Sequence, residues 1–403
     1  MLQKYPRWAV WTVGFLLAVA LLRDVAANSC PLACRVGGEL FFPAFRTVFE
    51  PHEQVRWPAP LAEIARNDRW HEGGYDWAVF PPIAFRPGVS GNNQFGQPPL
   101  AMLRAGDRAF RHWLGTDGSG RDVAAGMVAG CRVALLTASV AMGMAVVAGG
   151  LLGGLAGYFG DDRLRLRRGL LWANLLALPV AVFFALVPRW FFLVHQPDRG
   201  EWLLAAAIFG AILLVFNVLG WLLCRRAWFA ERVAVPADFV IMRLADVFDS
   251  VPRLLLVVAL AAISASGVPP VLLVVGIIGL FSWPDVARLL RAELLRVREL
   301  EFVQAARALG YSDGHILWKH ALPNAMRPVL VAVSLGAAGA VLLEAGLAFL
   351  GFTSGAAGAS WGSLLHEARN HMAAWWTAVF PGLALCWTLL ALHALGDALA
   401  ERE

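Results

Sequence analysis

Long uncharged runs along the chain are separated by short polar connections. Residues 8–22 are apolar behind Lys4 and Arg7. The run is short for a bilayer crossing, but Tyr5 and Arg23 can reach the two interfaces. With Val25-Ala26-Ala27 as a cleavage region it also fits a secretory leader, and an uncleaved span is preferred because later spans anchor the chain anyway. Residues 133–156 carry no charge, and Gly149, Gly153 and Gly157 recur every four positions with Gly150 and Gly154 beside them. One helix face is then nearly bare backbone, which predicts close packing on another helix. Further apolar runs at 170–194, 202–224, 251–264, 271–290, 329–349 and 375–395 bring the total to about eight. The pattern predicts an all-α integral membrane protein, a polytopic helical bundle of about eight spans.

The connections sort by charge. Arginines crowd 161–168, 225–243 and 288–327, whereas the intervening connections hold Arg199 alone and Arg369 alone. The positive-inside rule places both termini and the arginine-rich connections in the cytoplasm and 28–130 outside. That outer segment is rich in Pro, Gly and Trp without a long helical pattern, so it reads as a small, irregular or β-containing domain. The expected organisation is a cytoplasmic N-terminus and first span (1–27), the outer segment (28–130), a first core span (131–160), a two-span hairpin (161–237) and the remaining core (238–403) with a cytoplasmic loop at 291–326. Hydrophobic residues make up 59% of the 403 and charged ones 16%, which suits a membrane protein and not a soluble core. The net charge of +5 lies beside apolar spans, so orientation in a membrane accounts for it and nucleic acid is not implied.

Polar residues interrupt this pattern at 301–324, EFVQAARALGYSDGHILWKHALPN. Phe302, Ala305, Ala306 and Leu309 are expected on one face of a short amphipathic helix, with Glu301, Gln304 and Arg307 toward water. Gly310 fits a left-handed helix end, Ser312 or Asp313 can cap the next helix, and Pro323 is expected to stop it. Such a helix could lie on lipid. Its paired alanines offer little apolar area but allow another protein's groove to approach closely.

Ala305-Ala306, Gly310 four residues on, and Leu322-Pro323 after a further spacer resemble the EAA loop of ABC-importer permease subunits. His320 in the context Lys319-His320-Ala321-Leu322-Pro323-Asn324 is similar to the dipeptide, oligopeptide and nickel branch, whereas Gln304 departs from the glutamate of that loop. The resemblance extends to His112-Trp113-Leu114-Gly115-Thr116-Asp117, Gly120-Arg121-Asp122-Val123, Gly157-Tyr158-Phe159-Gly160, Asp246, Pro252, Arg288, Glu293, Leu343-Glu344-Ala345, Phe349-Leu350-Gly351 and Ser360-Trp361-Gly362. Between Gly160 and Asp238 the chain inserts two extra spans, whose turn, 195–201, is expected outside. The outer segment, with Gly38-Glu39-Leu40-Phe41-Phe42-Pro43 and Pro82-Ile83-Ala84-Phe85, resembles more weakly the insertion of microcin C-type oligopeptide permeases. The resemblance implies a bacterial inner-membrane permease subunit for peptides or similar small solutes. It further implies a homologous second permease, two ATPase subunits carrying ATP and Mg, and a periplasmic solute-binding protein. Glu301, Phe302, Gln304, Ala305, Ala306, Leu309, Gly310, His320, Leu322 and Pro323 would then couple this chain to the ATPase.

Other chemistry fails on spacing. The only lysines are Lys4 and Lys319, so no phosphate-binding GxxxxGK[ST] exists and ATP must be held by a partner. Gly358-Ala359-Ser360-Trp361-Gly362 fits GxSxG, but a nucleophile elbow needs a strand before it and a helix after it. His366 and His371 are five apart, about 140° round a helix, so they cannot share a metal as HExxH does. His52, His71 and His112 show no ligand spacing, and Cys30 and Cys34, four apart, fit neither CxxC nor zinc-ligand spacing, with a disulfide between them left open if their loop lies outside. No cofactor or metal is expected in this chain. Asp285 beside Pro284 reads as an interfacial charge at a helix kink. Glu344 is costly in a bilayer, and both a translocation-path residue near the outer mouth and a helix-packing carboxyl remain open. A secondary transporter would show inverted repeats and broken helices, and a membrane enzyme would show a catalytic constellation; both stand as rival classes.

Overall fold

The computed structural model describes residues 6–49, 55, 57–66, 70–72, 74–90, 95–102, 110–189, 199–252, 255, 270–352 and 359–401. They gather into two compact units, one formed by Met1–Gly143, Pro270–Gly279 and Leu330–Glu403, the other by Met144–Pro269 and Leu280–Val329.

In the first unit, helix α1 (Arg7–Leu21) leads into the outer segment. There β1 (Ala33–Val36), β2 (Glu39–Phe41) and β3 (Trp77–Val79) form an antiparallel sheet in the order β2-β1-β3, with Cys34 opposite both Phe41 and Ala78. Helices α2 (Pro43–Phe49) and α3 (Ala59–Arg66) accompany the sheet, and Cys30, Cys34, Ala44, Leu61, Ala65 and Trp70 form the local core. No disulfide joins Cys30 to Cys34. Burial pushes the Cys34 thiol pKa up, which keeps it protonated and inert. Ala101–Met102 and Arg111–His112 pair as β4 and β5. Here His112 Nδ1 lies 2.8 Å from Asp122 Oδ2 and His71 packs on Phe110, while His52 lies outside the described residues. Among the described residues no group of three metal-ligating side chains occurs.

Helix α4 (Val123–Phe159) starts at Val123 and not near 133, because the Asp122 carboxylate caps it by accepting from the Ala125 N–H at 2.7 Å. Its first part packs in the first unit through Cys131 and Ala134 against Leu16, Val341, Ala345, Trp361 and Leu385. Among the described residues, four more helices are long and apolar enough to cross a membrane: α5 (Arg168–Leu186), α6 (Arg199–Leu223), α10 (Asp313–Phe349) and α12 (Trp376–Ala400). Shorter α1 is apolar too, and α8 (Pro270–Val297) carries the expected run 271–290. The run 251–264 lies outside the described residues except at 251, 252 and 255, as do 190–194 of the third run and 195–198 of the hairpin turn.

The second unit is organised by glycine. A Cβ on Gly149 would lie 2.7 Å from the Trp283 carbonyl, one on Gly153 2.5 Å from the Ala287 carbonyl, and one on Gly157 2.8 Å from the Arg291 Cα. Helices α4 and α8 therefore meet backbone to backbone, as the four-residue spacing predicts. Helix α7 (Ala237–Ser250) packs on both through Ile241 and Ala245, and Asp238 receives a two-pronged hydrogen bond from Arg291. Pro284 lies inside α8, and the neighbouring Asp285 carboxylate is 3.9 Å from Arg288.

The inserted hairpin uses small residues as well. Ala173, Ala177, Ala181 and Ala185 are buried along α5, and Gly220 of α6 approaches Ala173 so closely that a Cβ would sit 2.7 Å from it. Asn174 and Asn217 exchange side-chain hydrogen bonds at 3.1 Å, so neither amide is left without a partner in an apolar setting. Replacing Gly153 by Val should lower the melting temperature of the detergent-solubilised chain, by an overpacking cost of about 1–3 kcal/mol. Gly154→Ala, one position along with nothing within 4 Å of its Cβ, should leave it unchanged.

Candidate functional site

Immediately after α8 the chain turns at 298–300 and enters helix α9 (Glu301–Ala308), with Glu301 in the first turn where a carboxylate offsets the exposed N–H groups. Val303 (0% exposed) and Ala306 point inward, while Phe302 (41%), Ala305 and Leu309 (78%) face out. The expected apolar face is thus divided. Ala306 joins Val303 in the buried seam, and Phe302, Ala305 and Leu309 make an unpartnered outer stripe. The division follows from the 3.6-residue period, which puts 303 and 306 on one side and 302, 305 and 309 on another.

Gln304 has a local use. Its amide donates to the Glu299 carbonyl at 3.0 Å, bracing the turn before α9. A glutamate carboxylate, with no N–H, could not make that bond.

The end of α9 is closed by geometry that only glycine adopts easily. Gly310 has φ +82°, its N–H reaches the Arg307 carbonyl at 3.0 Å, and the Tyr311 N–H reaches the Ala306 carbonyl at 3.3 Å. These are the two bonds of a Schellman stop. Ser312 then caps the next helix by accepting from the His315 N–H at 3.4 Å. Beyond it the rings of Tyr311 and His315 stack at 5.0 Å, with His320 5.8 Å from His315.

Pro323 does not stop that helix. Asp313 to Phe349 runs unbroken as α10, through a π-helical turn at Leu317–Ala321. The Leu322 N–H bonds the Leu317 carbonyl, five residues back, and the His320 carbonyl accepts from the Asn324 side chain at 2.7 Å. The wider turn absorbs the missing proline N–H, a known use of π-bulges. Leu322 is half-buried and Pro323 exposed at this junction.

A residue that periodicity alone did not single out ties the turn to the bundle. Tyr158 of α4, fully buried, donates its hydroxyl to Asp313 Oδ1 at 3.0 Å, and Arg307 approaches the same oxygen at 3.8 Å. Its signal in the sequence was the Gly157-Tyr158-Phe159-Gly160 segment at the end of the glycine-lined span.

Glu344 belongs to the first unit, whereas α9 belongs to the second. It is 3% exposed, the Ser360 side chain lies near its carboxyl, and Oε1 has no hydrogen-bond partner among the described residues. Ser360 itself N-caps α11 (Trp361–Asn370) in a capping box with Ser363, and a Cβ on Gly362 would lie 2.3 Å from the Ala345 carbonyl. The serine of the GxSxG match is therefore engaged in a helix cap, and the described residues before it form no strand. His366 meets the Phe349 carbonyl at 2.8 Å and His371 packs against Gly118, so they serve different neighbours.

A profile for "Binding-protein-dependent transport system inner membrane component" matches residues 227–402. Among curated relatives, a peptide permease protein of Brucella suis is 31% identical over 296 residues, spanning 73% of this chain and 72% of its own length. A dipeptide transport system permease protein of Alkalihalophilus pseudofirmus is 27% identical over 72% of this chain and 70% of itself. A glutathione transport system permease protein of Pectobacterium atrosepticum is 37% identical over 49% of this chain and 64% of itself.

Replacing Tyr158 by Phe removes one hydrogen bond, worth about 1 kcal/mol. Amide exchange at the start of α10 should accelerate roughly fivefold as a result, with exchange in α12 unaltered.

Proposed function

The chain belongs to the family of binding-protein-dependent transport system inner-membrane components and is a permease subunit of an ABC importer; from that premise we propose that it carries peptides or closely related small solutes and that α9 with its following turn docks into an ATPase subunit. The observation that carries the docking reading is the outer stripe of Phe302, Ala305 and Leu309, left uncovered on a helix whose other side is packed and whose end is closed by Gly310. An apolar stripe with a small residue at its centre suits a groove on another protein. Glu301, Gln304, Ala306, His320, Leu322 and Pro323 belong to the same element; Gln304, Ala306 and Pro323 shape it, and the outer stripe makes contact. The solute class follows the relatives named for peptides, a dipeptide and glutathione.

In this reading the chain crosses the bacterial inner membrane about eight times, with both termini cytoplasmic, 28–130 periplasmic, 161–237 an inserted hairpin, and 291–326 the coupling loop of the core. It works with a homologous second permease, a periplasmic solute-binding protein and two ATPase subunits that hold ATP and Mg. Closure of the ATPase pair moves α9, and the Tyr158–Asp313 bond and the glycine seam pass that motion to α4 and α8. The result is a shift in population between inward- and outward-facing states, with no covalent step in this chain. Glu344 would be a packing carboxyl that joins α10 to the cap of α11, reached by solute only if that contact opens.

Reconstituted with its ATPase subunits and binding protein, the importer should take up labelled peptide only with ATP. Leu309→Asp should cut that uptake roughly thirtyfold, about 2 kcal/mol of docking, with the permease still inserted and folded. Uptake driven by an ion gradient without ATP would instead mark a secondary transporter, and conversion of the peptide by this chain alone an enzyme.

A further inference from the structure

The inserted hairpin ends in an arginine arrangement that the coupling role does not use. Just before α5, Arg165–Arg167 forms strand β6, which pairs antiparallel with β7 (Arg232–Ala234). The ladder is extended at both ends by Arg168 N–H to the Glu231 carbonyl at 2.9 Å and Val235 N–H to the Leu164 carbonyl at 2.8 Å. Register places Arg167 directly opposite Arg232, and Arg165 lies two residues along on the same face. All three are exposed, and none makes an ion pair among the described residues. Like charges directly opposite each other destabilise a ribbon, and an anion between them would relieve that repulsion.

Several neighbouring groups are already committed. Arg168 pairs with Glu231 at 3.0 Å and lies over the Trp228 ring at 4.6 Å, and Arg225 lies over Trp221 at 5.1 Å. Asp161 accepts from the Phe239 N–H at 3.0 Å. The opposite face of the ribbon carries Leu166 and Val233, so the ribbon is amphipathic. It sits at the feet of two helices long and apolar enough to cross a membrane, with Trp172, Leu175 and Leu176 exposed on the first turns of α5. With α5 and α6 in a bilayer, the cationic face would lie at the level of the lipid headgroups, beside apolar surface that acyl chains would cover.

We propose that Arg165, Arg167 and Arg232 form a binding site for the headgroup phosphate of an anionic phospholipid, in the leaflet facing the foot of the hairpin. A guanidinium matches phosphate oxygens two at a time, and a basic cluster directly beside spanning helices is where anionic headgroups concentrate. A bound phosphate between Arg167 and Arg232 turns their mutual repulsion into a bridge and fixes the ribbon that joins the hairpin to α7. This inference goes beyond the importer reading and needs only that α5 and α6 lie in a bilayer.

The test is native mass spectrometry of the full-length chain in detergent, titrated with phosphatidylglycerol and with phosphatidylcholine of the same acyl chains. Wild type should retain phosphatidylglycerol at least about tenfold more tightly. The triple variant Arg165→Gln, Arg167→Gln, Arg232→Gln should lose that preference, and the matched triple Lys variant should keep most of it, which separates loss of charge from loss of fold. Equal retention of the two lipids by wild type, or an unchanged preference in the triple Gln variant, overturns the proposal. Displacement of phosphatidylglycerol by millimolar inorganic phosphate also overturns it, in favour of a free-anion site. So does a triple Gln variant that keeps its lipid but loses the ATPase subunit from the assembled importer, since the face would then belong to a protein contact.

Discussion

Everything around the proposed coupling element depends on the approach of α4 to α8 at Gly149, Gly153 and Gly157. A side chain at any of these positions would meet backbone or a Cβ at 2.5–2.9 Å, so the helices cannot come this close with any other residue. In a bilayer, where lipid is as apolar as leucine, such close backbone contact is a main source of helix association. The seam carries Tyr158 to the base of the turn after α9 and sets the end of α8, from which α9 departs. It also leaves Arg291 within reach of Asp238, so that α7 is fastened to the same pair of helices.

The turn after α9 is stiffened by several modest devices acting together. Gln304 braces the entry, two Schellman bonds close α9 at Gly310, Ser312 caps the next helix, and Tyr158 ties that cap to the bundle. Each is worth on the order of 1 kcal/mol, too little to hold the protein folded but enough together to fix the direction in which Phe302, Ala305 and Leu309 point. The π-turn at Leu317–Ala321 has a related effect, since α10 continues past Pro323 without a break. The helix that begins at the turn therefore continues past the proline as one element.

The long apolar helices, the glycine seam, the left-handed Gly310 and a helix cap at Ser312 or Asp313 were legible in the sequence because each rests on a local rule of period or backbone conformation. Other features were not. Pro323 reads as a stop, since a π-bulge leaves no mark in composition. Ala306 reads as part of the outer face, because which side of a short amphipathic helix is covered depends on the body it packs against. The start of α4 at Val123 was hidden because 123–132 contains Gly, Cys and Arg, whereas the Asp122 cap that begins it resembles many loop aspartates. The partners of Glu344 and Ser360 were equally beyond local reading, because sixteen residues and a helix end separate them in the chain.

The most direct measurement is site-specific cysteine crosslinking in native membranes, in a variant from which Cys30, Cys34, Cys131, Cys224 and Cys386 have been removed. Single cysteines are placed at 302, 305 and 309 on the outer stripe and at 303 and 306 in the buried seam. The expected result is capture of an ATPase subunit, varying with nucleotide state, from the outer positions and not from the inner ones. Equal capture from both sets, or reaction of the outer positions with lipid-soluble probes alone while the chain stays folded and abundant, would contradict the assignment of α9 as the coupling element.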